Sequence, residues 1–156
     1  EIIELKTPAK QEYVGVVRLT VSGIANRLGY SYDDIEDIKI AVAEACANVV
    51  NNPYSDTTIE RDMFITCGIY SDRIEISVAD QRSFVETNRL KEEGPIRMTD
   101  TNEHLKEGGL SLYLIETLMD RVEVSGNSGV VIAMTKFLHR SEVEHSGDSI
   151  PRETTE

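Results

Sequence analysis

The sequence predicts an α+β fold: a two-layer sandwich with three helices on one face of a mixed, mostly antiparallel sheet. Three observations predict it. Apolar residues recur at three- and four-residue steps over 11–28 and again over 31–52. Alternating apolar runs come in adjacent pairs, at 63–78 and 121–138. A glycine pair, Gly108-Gly109, opens a third helical stretch. Helices with one apolar stripe each need a common surface on which to bury it, and a half-apolar sheet supplies one.

Taken in order, residues 2–5 read as a short strand that Thr7-Pro8 is expected to break. Val14, Val17, Val21, Ile24 and Leu28 then form the stripe of a first helix. Arg18, Ser22 and Asn26 lie away from that stripe. Gly29 ends the helix and Ser31 starts the next, with Asp34 placed three residues on, as a capping pair requires. Ile35, Ile38, Val42, Ala45 and Val49 form the second stripe, which must stop near Asn52 because Pro53 disfavours helical geometry before it.

Met63, Ile65, Cys67 and Ile69 alternate with other residues, and so do Ile74, Ile76 and Val78. The short connection over 70–73 makes this pair antiparallel. Periodicity then disappears over 81–106, a length that suits a functional lid or a mobile loop. After the glycine pair, Leu110, Leu114 and Leu118 lie on one side of the third helix. Two last strands, 121–125 and 130–138, are joined by Gly126-Asn127-Ser128-Gly129. The expected division is one domain over 1–138 and a polar, disordered tail over 139–156.

The 156 residues carry 16 Lys and Arg against 28 Asp and Glu, a net charge of −12. Such a chain repels nucleic acid, which is bound by neutralising phosphates with Lys and Arg. It suits a basic protein partner, although solubility alone accounts for many acidic surfaces. Cys46 and Cys67 have no metal-like spacing and read as buried free thiols. No apolar run is long enough to span a bilayer and no signal peptide is apparent, so a cytoplasmic protein is expected.

Three places carry candidate chemistry. Glu44 and Asn48 are four apart and share a helix face off the apolar stripe, a carboxylate base beside an oxygen ligand for Mg²⁺. Asp80 ends a strand and could accept from an adenine amino group. Gly108-Gly109-Leu110 leads into a helix whose free N–H groups suit a phosphate. Alone, each has an ordinary reading: a solvated face, a turn acid, a glycine turn.

Their order along the chain changes the reading. It resembles the GHKL (Bergerat) ATP-binding fold and, within it, the RsbW family of anti-sigma serine kinases. The resemblance covers Tyr13 to Leu138. Its distinctive stretches are Glu12-Tyr13-Val14-Gly15, Arg18-Leu19-Thr20-Val21-Ser22-Gly23, Asp33-Asp34-Ile35-Glu36-Asp37 with Lys39-Ile40-Ala41-Val42, Glu107-Gly108-Gly109-Leu110, Leu118-Met119-Asp120 and Met134-Thr135-Lys136. It implies that Glu44 activates a substrate hydroxyl, that Asn48 holds Mg²⁺, and that Asp80 binds adenine with Thr135 as its supporting neighbour. Asn52, Gly108, Gly109, Leu110 and Ser111 would join Asn48 around the ATP, and Arg18 would grip protein partners.

The implied function is an anti-sigma factor. It sequesters an alternative, general-stress sigma factor and phosphorylates a serine of an anti-anti-sigma antagonist, as a homodimer. The alternative is a pseudokinase that only binds sigma. That alternative draws on departures from the family pattern: Asn52-Pro53 replaces His-Ala, Arg82 stands where a bare backbone passes the nucleotide, and Ser111 replaces a glycine. If position 111 needed a positive φ, the side chain would cost about 1–2 kcal/mol.

Overall fold

The layers follow from where the apolar periodicities point. The computed structural model describes residues 1–52, 60–81, 109–126 and 130–139. In chain order these give β1 (Ile2–Pro8), a single 3₁₀ turn (Gln11–Tyr13), α1 (Val14–Leu28) and α2 (Tyr32–Val50). Then come β2 (Asp62–Ile69), β3 (Arg73–Asp80), α3 (Gly109–Leu118), β4 (Arg121–Ser125) and β5 (Val131–Phe137). The five strands are ordered β1-β2-β3-β5-β4. Every pairing is antiparallel, so no parallel pair occurs among the described residues of a sheet expected to be mixed.

Register decides what faces the helices. Ile65 pairs with Val78 and Cys67 with Ile76, while Val78 pairs with Ile132 and Ile76 with Met134. Directly paired residues share a face, and all of these are buried. Against them α2 buries Ile38, Ala41, Val42, Ala45, Cys46 and Val49. It is the central helix, packed on α1, on α3 and on three strands. Fully burying a side chain of Val or Ile size is worth about 1.5–3 kcal/mol, so α2 is fixed by its inner side, whatever its outer side carries.

The helix ends are built as the chain implies. Gly29 closes α1 at φ 92°, a left-handed conformation that a glycine adopts without strain. The Ser31 hydroxyl accepts from the Asp34 N–H at 3.2 Å and caps α2. At the other end of α2, Arg61 donates to the Val49 and Val50 carbonyls at 3.4 and 3.2 Å. Cys46 and Cys67 are free and buried, and burial pushes their thiols up to about 12 and about 11.

Two expectations change. β1 runs through Pro8, past the residues expected to break it. It is an edge strand pairing with β2 alone, and Pro8 sits at its end, where a missing N–H is tolerated. On α3 the buried residue is Ile115, backed by Leu112 and Leu118, while Leu110 and Leu114 are exposed. The predicted 139–156 tail lies outside the described residues apart from His139, as does most of the 81–106 segment.

A clasp ties the three helical ends to the sheet. Lys136 Nζ donates to the Leu118 carbonyl at 2.6 Å and lies 3.8 Å from carboxylate oxygens of Asp34 and Asp37. The Tyr30 hydroxyl donates to the Lys136 carbonyl at 2.6 Å. Asp120 accepts from the Phe137 N–H at 2.7 Å and donates its own N–H to the Thr135 carbonyl at 2.9 Å. Burial raises the Tyr30 phenol to about 12.

Candidate nucleotide and phosphoryl-transfer site

Because the inner side of α2 is committed to the core, residues four apart on its other side project together. Glu44 and Asn48 are half-buried there. The first turn of α3 packs beside them and brings Ser111. The Ser111 hydroxyl donates to Glu44 Oε2 at 2.8 Å. Asn48 Nδ2 donates to the Ser111 hydroxyl oxygen at 2.8 Å and to the Glu44 carbonyl at 2.8 Å. The candidate base, the candidate metal ligand and a serine hydroxyl therefore form one connected group.

The fear of strain at position 111 is removed. Ser111 lies within α3, and no non-glycine residue among the described ones has a positive φ. Gly109 opens the helix, and a Cβ built there would meet nothing within 4 Å. Among the described residues, nothing fills the space beside this helix start. Leu110, next to it, is 88% exposed. Gly108 and Arg82 lie outside the described residues.

A second polar pair lies just past the end of α2. Asn52 and Asp80 are 4% and 5% exposed, and Asn52 Nδ2 donates to Asp80 Oδ2 at 3.4 Å. Asp80 reaches this spot because it is the last residue of β3, on the same face as Val78. A buried carboxylate needs partners, and Asn52 is one of those that Asp80 has.

Thr135 does not join them. It pairs with Glu75 on β3, five residues from Asp80, or roughly 16 Å at about 3.3 Å per residue. It faces away from the helices, on the open side of the sheet with Thr66, Ser77 and Arg121. The residue that β5 brings to Asp80 is Val130, whose carbonyl accepts the Asp80 N–H at 3.2 Å. The alternation of Ile132 and Met134 with Thr135 already placed Thr135 on the outer face. That Val130 meets Asp80 depends on strand register, which no local pattern gives.

Arg18 stands apart from the site, exposed on α1 as its position off the stripe implies. Leu19, beside it, is 70% exposed. Among the described residues no cluster of three or more His, Cys, Asp or Glu side chains could hold a metal alone. A cation here would rest on Asn48 and on oxygens of the nucleotide.

The histidine kinase-like ATPase domain family matches residues 7–136. The serine-protein kinase RsbW of Halalkalibacterium halodurans is 56% identical over 157 aligned positions, covering 100% of this chain and 95% of that protein. The chain belongs to the RsbW serine-protein kinase family. The RsbW proteins of Bacillus velezensis and Bacillus licheniformis are 51% and 53% identical, over 93% and 92% of this chain and 91% and 90% of theirs. A crystal structure of the RsbU and RsbW domains of Rv1364c from Mycobacterium tuberculosis has a TM-score of 0.62 at 17% identity. It covers 88% of this chain and 32% of that one, and it shows the fold. No described helix is long and apolar enough to cross a membrane.

Proposed function

We propose that this chain is an anti-sigma factor that transfers the γ-phosphoryl group of ATP to a serine of an anti-anti-sigma protein. Glu44 is the base, Asn48 the metal ligand, and Asp80 the acceptor for the adenine amino group, held beside Asn52. Gly109, Leu110 and Ser111 border the phosphates, where the α3 N-terminus favours negative charge. The observation that carries this reading is the 2.8 Å hydrogen bond from a serine hydroxyl to Glu44. The carboxylate already binds Ser111 as a base must bind the hydroxyl of its substrate.

In the transfer, the substrate serine gives its proton to Glu44 as its oxygen bonds to the γ-phosphorus, and the bond to ADP breaks. Asn48 Oδ1, together with phosphate oxygens, would hold Mg²⁺, which would supply neutralisation of the phosphate charge. The protein's own part is positioning: the helix pitch sets the separation of Glu44 and Asn48. The nucleotide is oriented by its contrast in chemistry. Its amino group finds a buried carboxylate, and its phosphates find helix N–H groups. Glu44→Gln should lower single-turnover phosphorylation of the antagonist by about 10²-fold or more and leave ATP affinity nearly unchanged. Parental rates in the variant would refute the assignment.

The sigma factor held is of the general-stress type, and the active form is a cytoplasmic homodimer; family membership supports both. Arg18 and its exposed surroundings on α1 form the surface shared by sigma factor and antagonist. An Arg pairs bidentately with carboxylates, and such anchors dominate interfaces. Arg18→Ala should weaken binding of both partners by about 2 kcal/mol, with no loss of thermal stability. Equal binding by titration calorimetry would remove Arg18 from the interface.

A further inference from the structure

Ser111 has a role that a phosphate-bordering residue does not need. Its one hydroxyl makes two bonds of opposite direction, donating to Glu44 Oε2 and accepting from Asn48 Nδ2, both at 2.8 Å. The second N–H of the Asn48 amide goes to the Glu44 carbonyl, also at 2.8 Å. A backbone carbonyl only accepts, so this bond fixes which end of the amide points inward. Both amide hydrogens are then used inside the protein, and Oδ1 is the end presented outward.

A glutamate side chain has three rotatable bonds and loses considerable freedom when held. Glu44 is half-buried, and the hydroxyl of Ser111 is what fixes its Oε2 among the described residues. Glycine or alanine at 111 would remove both bonds at once. The carboxylate would be free to turn, and one Asn48 N–H would lose its acceptor.

We propose that Ser111 is a positioning residue for phosphoryl transfer, locking the Glu44 carboxylate and the Asn48 amide into one arrangement that aims the base and presents Asn48 Oδ1 to the metal. This rests on the assignment of Glu44 and Asn48 made above. Ser111 acts through these two residues and takes no proton itself. Its oxygen lies between base and ligand, so a single substitution disturbs catalysis and metal dependence together.

The test uses the full chain with Ser111→Ala, Ser111→Thr and Glu44→Gln. Measured are kcat for the unphosphorylated antagonist, the Mg²⁺ concentration at half-maximal rate, and ADP affinity without Mg²⁺ by calorimetry. Ser111→Ala should lower kcat about tenfold and raise the half-maximal Mg²⁺ several-fold. Its ADP affinity should stay within about twofold of the parent. Ser111→Thr, which keeps the hydroxyl, should recover most of both losses.

A parental or raised kcat in Ser111→Ala, with Glu44→Gln inactive, overturns the role of Ser111 and leaves the site reading intact. Weaker ADP binding with unchanged kcat makes Ser111 a nucleotide contact and also overturns it. An active Glu44→Gln overturns the site reading itself, and this inference with it.

Discussion

Two polar clusters stand on the same helix, and they are finished differently. Near the start of α2, Asp34 and Asp37 face Lys136, whose ammonium also reaches the Leu118 carbonyl. That cluster joins α2, α3 and β5, and its bonds close on protein groups. In the second half of α2, Glu44 and Asn48 join Ser111 of α3 in satisfying one another's inward-facing atoms, and among the described residues nothing bonds the outer oxygen of the Asn48 amide. The difference separates a joint from a workplace. A closed cluster contributes its energy to folding; an open one contributes to folding only in part and keeps the rest for a ligand.

Substitutions can break that contrast or sharpen it. The largest effect is expected at the buried Asn52–Asp80 pair beside the open cluster. Asp80→Asn removes a buried carboxylate's charge and one of its acceptors. Hydrogen bonds to charged groups are worth about 1.5–3 kcal/mol, so ATP affinity should fall by about tenfold or more. The thermal midpoint should move little. A variant that binds ATP as the parent does, measured by calorimetry, would take Asp80 out of the nucleotide site.

The closed cluster should behave in the opposite way. Lys136→Met keeps the aliphatic stem but strips the Leu118 carbonyl of its donor and leaves two carboxylates without their cation. Unfolding in urea should show a loss of about 1–3 kcal/mol, while the kinetics of phosphorylation stay close to parental. A kinetic defect in a variant of unchanged stability would erase the distinction between the two clusters.

The smallest effect concerns alkaline pH. Burial raises the pKa of Tyr30, Cys46 and Cys67 to about 12, 12 and 11, from ordinary values of 10, 9 and 9. Each holds its proton more tightly when folded, so its contribution is fully present below the unfolded value and is lost as pH rises through the folded one. The contribution of these three groups should therefore be constant below pH about 9 and decline between about 9 and 12. Tyr30→Phe should lower stability by about 1 kcal/mol at neutral pH, through the lost bond to the Lys136 carbonyl. It should also make the upper part of the decline shallower. An unchanged slope in the variant would show that Tyr30 is not among the groups responsible.

What was legible in the sequence follows the strength of each local signal. The stripes of α1 and α2 could be read because few other apolar residues compete with them. The Ser31 cap and the Gly29 stop are local chemistry, and both stand. The α3 stripe was misread because Leu110, Leu112, Leu114, Ile115 and Leu118 surround most of that helix. With apolar residues on nearly every side, periodicity cannot choose the inner one, and packing chose Ile115. Glu44, Asn48 and Asp80 stood out through the order they share with the family. The bonds of Ser111 did not, since they join α2 to a helix more than sixty residues away. The same distance problem explains why the neighbour of Asp80 had to be learned from the register of β3 and β5.

The buried side of α2 also sets how the chemistry fails. Ile38, Val42, Ala45 and Val49 are completely inaccessible to solvent, and the helix touches α1, α3 and three strands. Local openings draw on weakly packed segments, while elements at the centre of a core open only with the whole domain. Glu44 and Asn48 ride on that central element. Glu44 and Asn48 come apart when the hydrophobic core does, so on warming their relative placement is the last thing the chain surrenders.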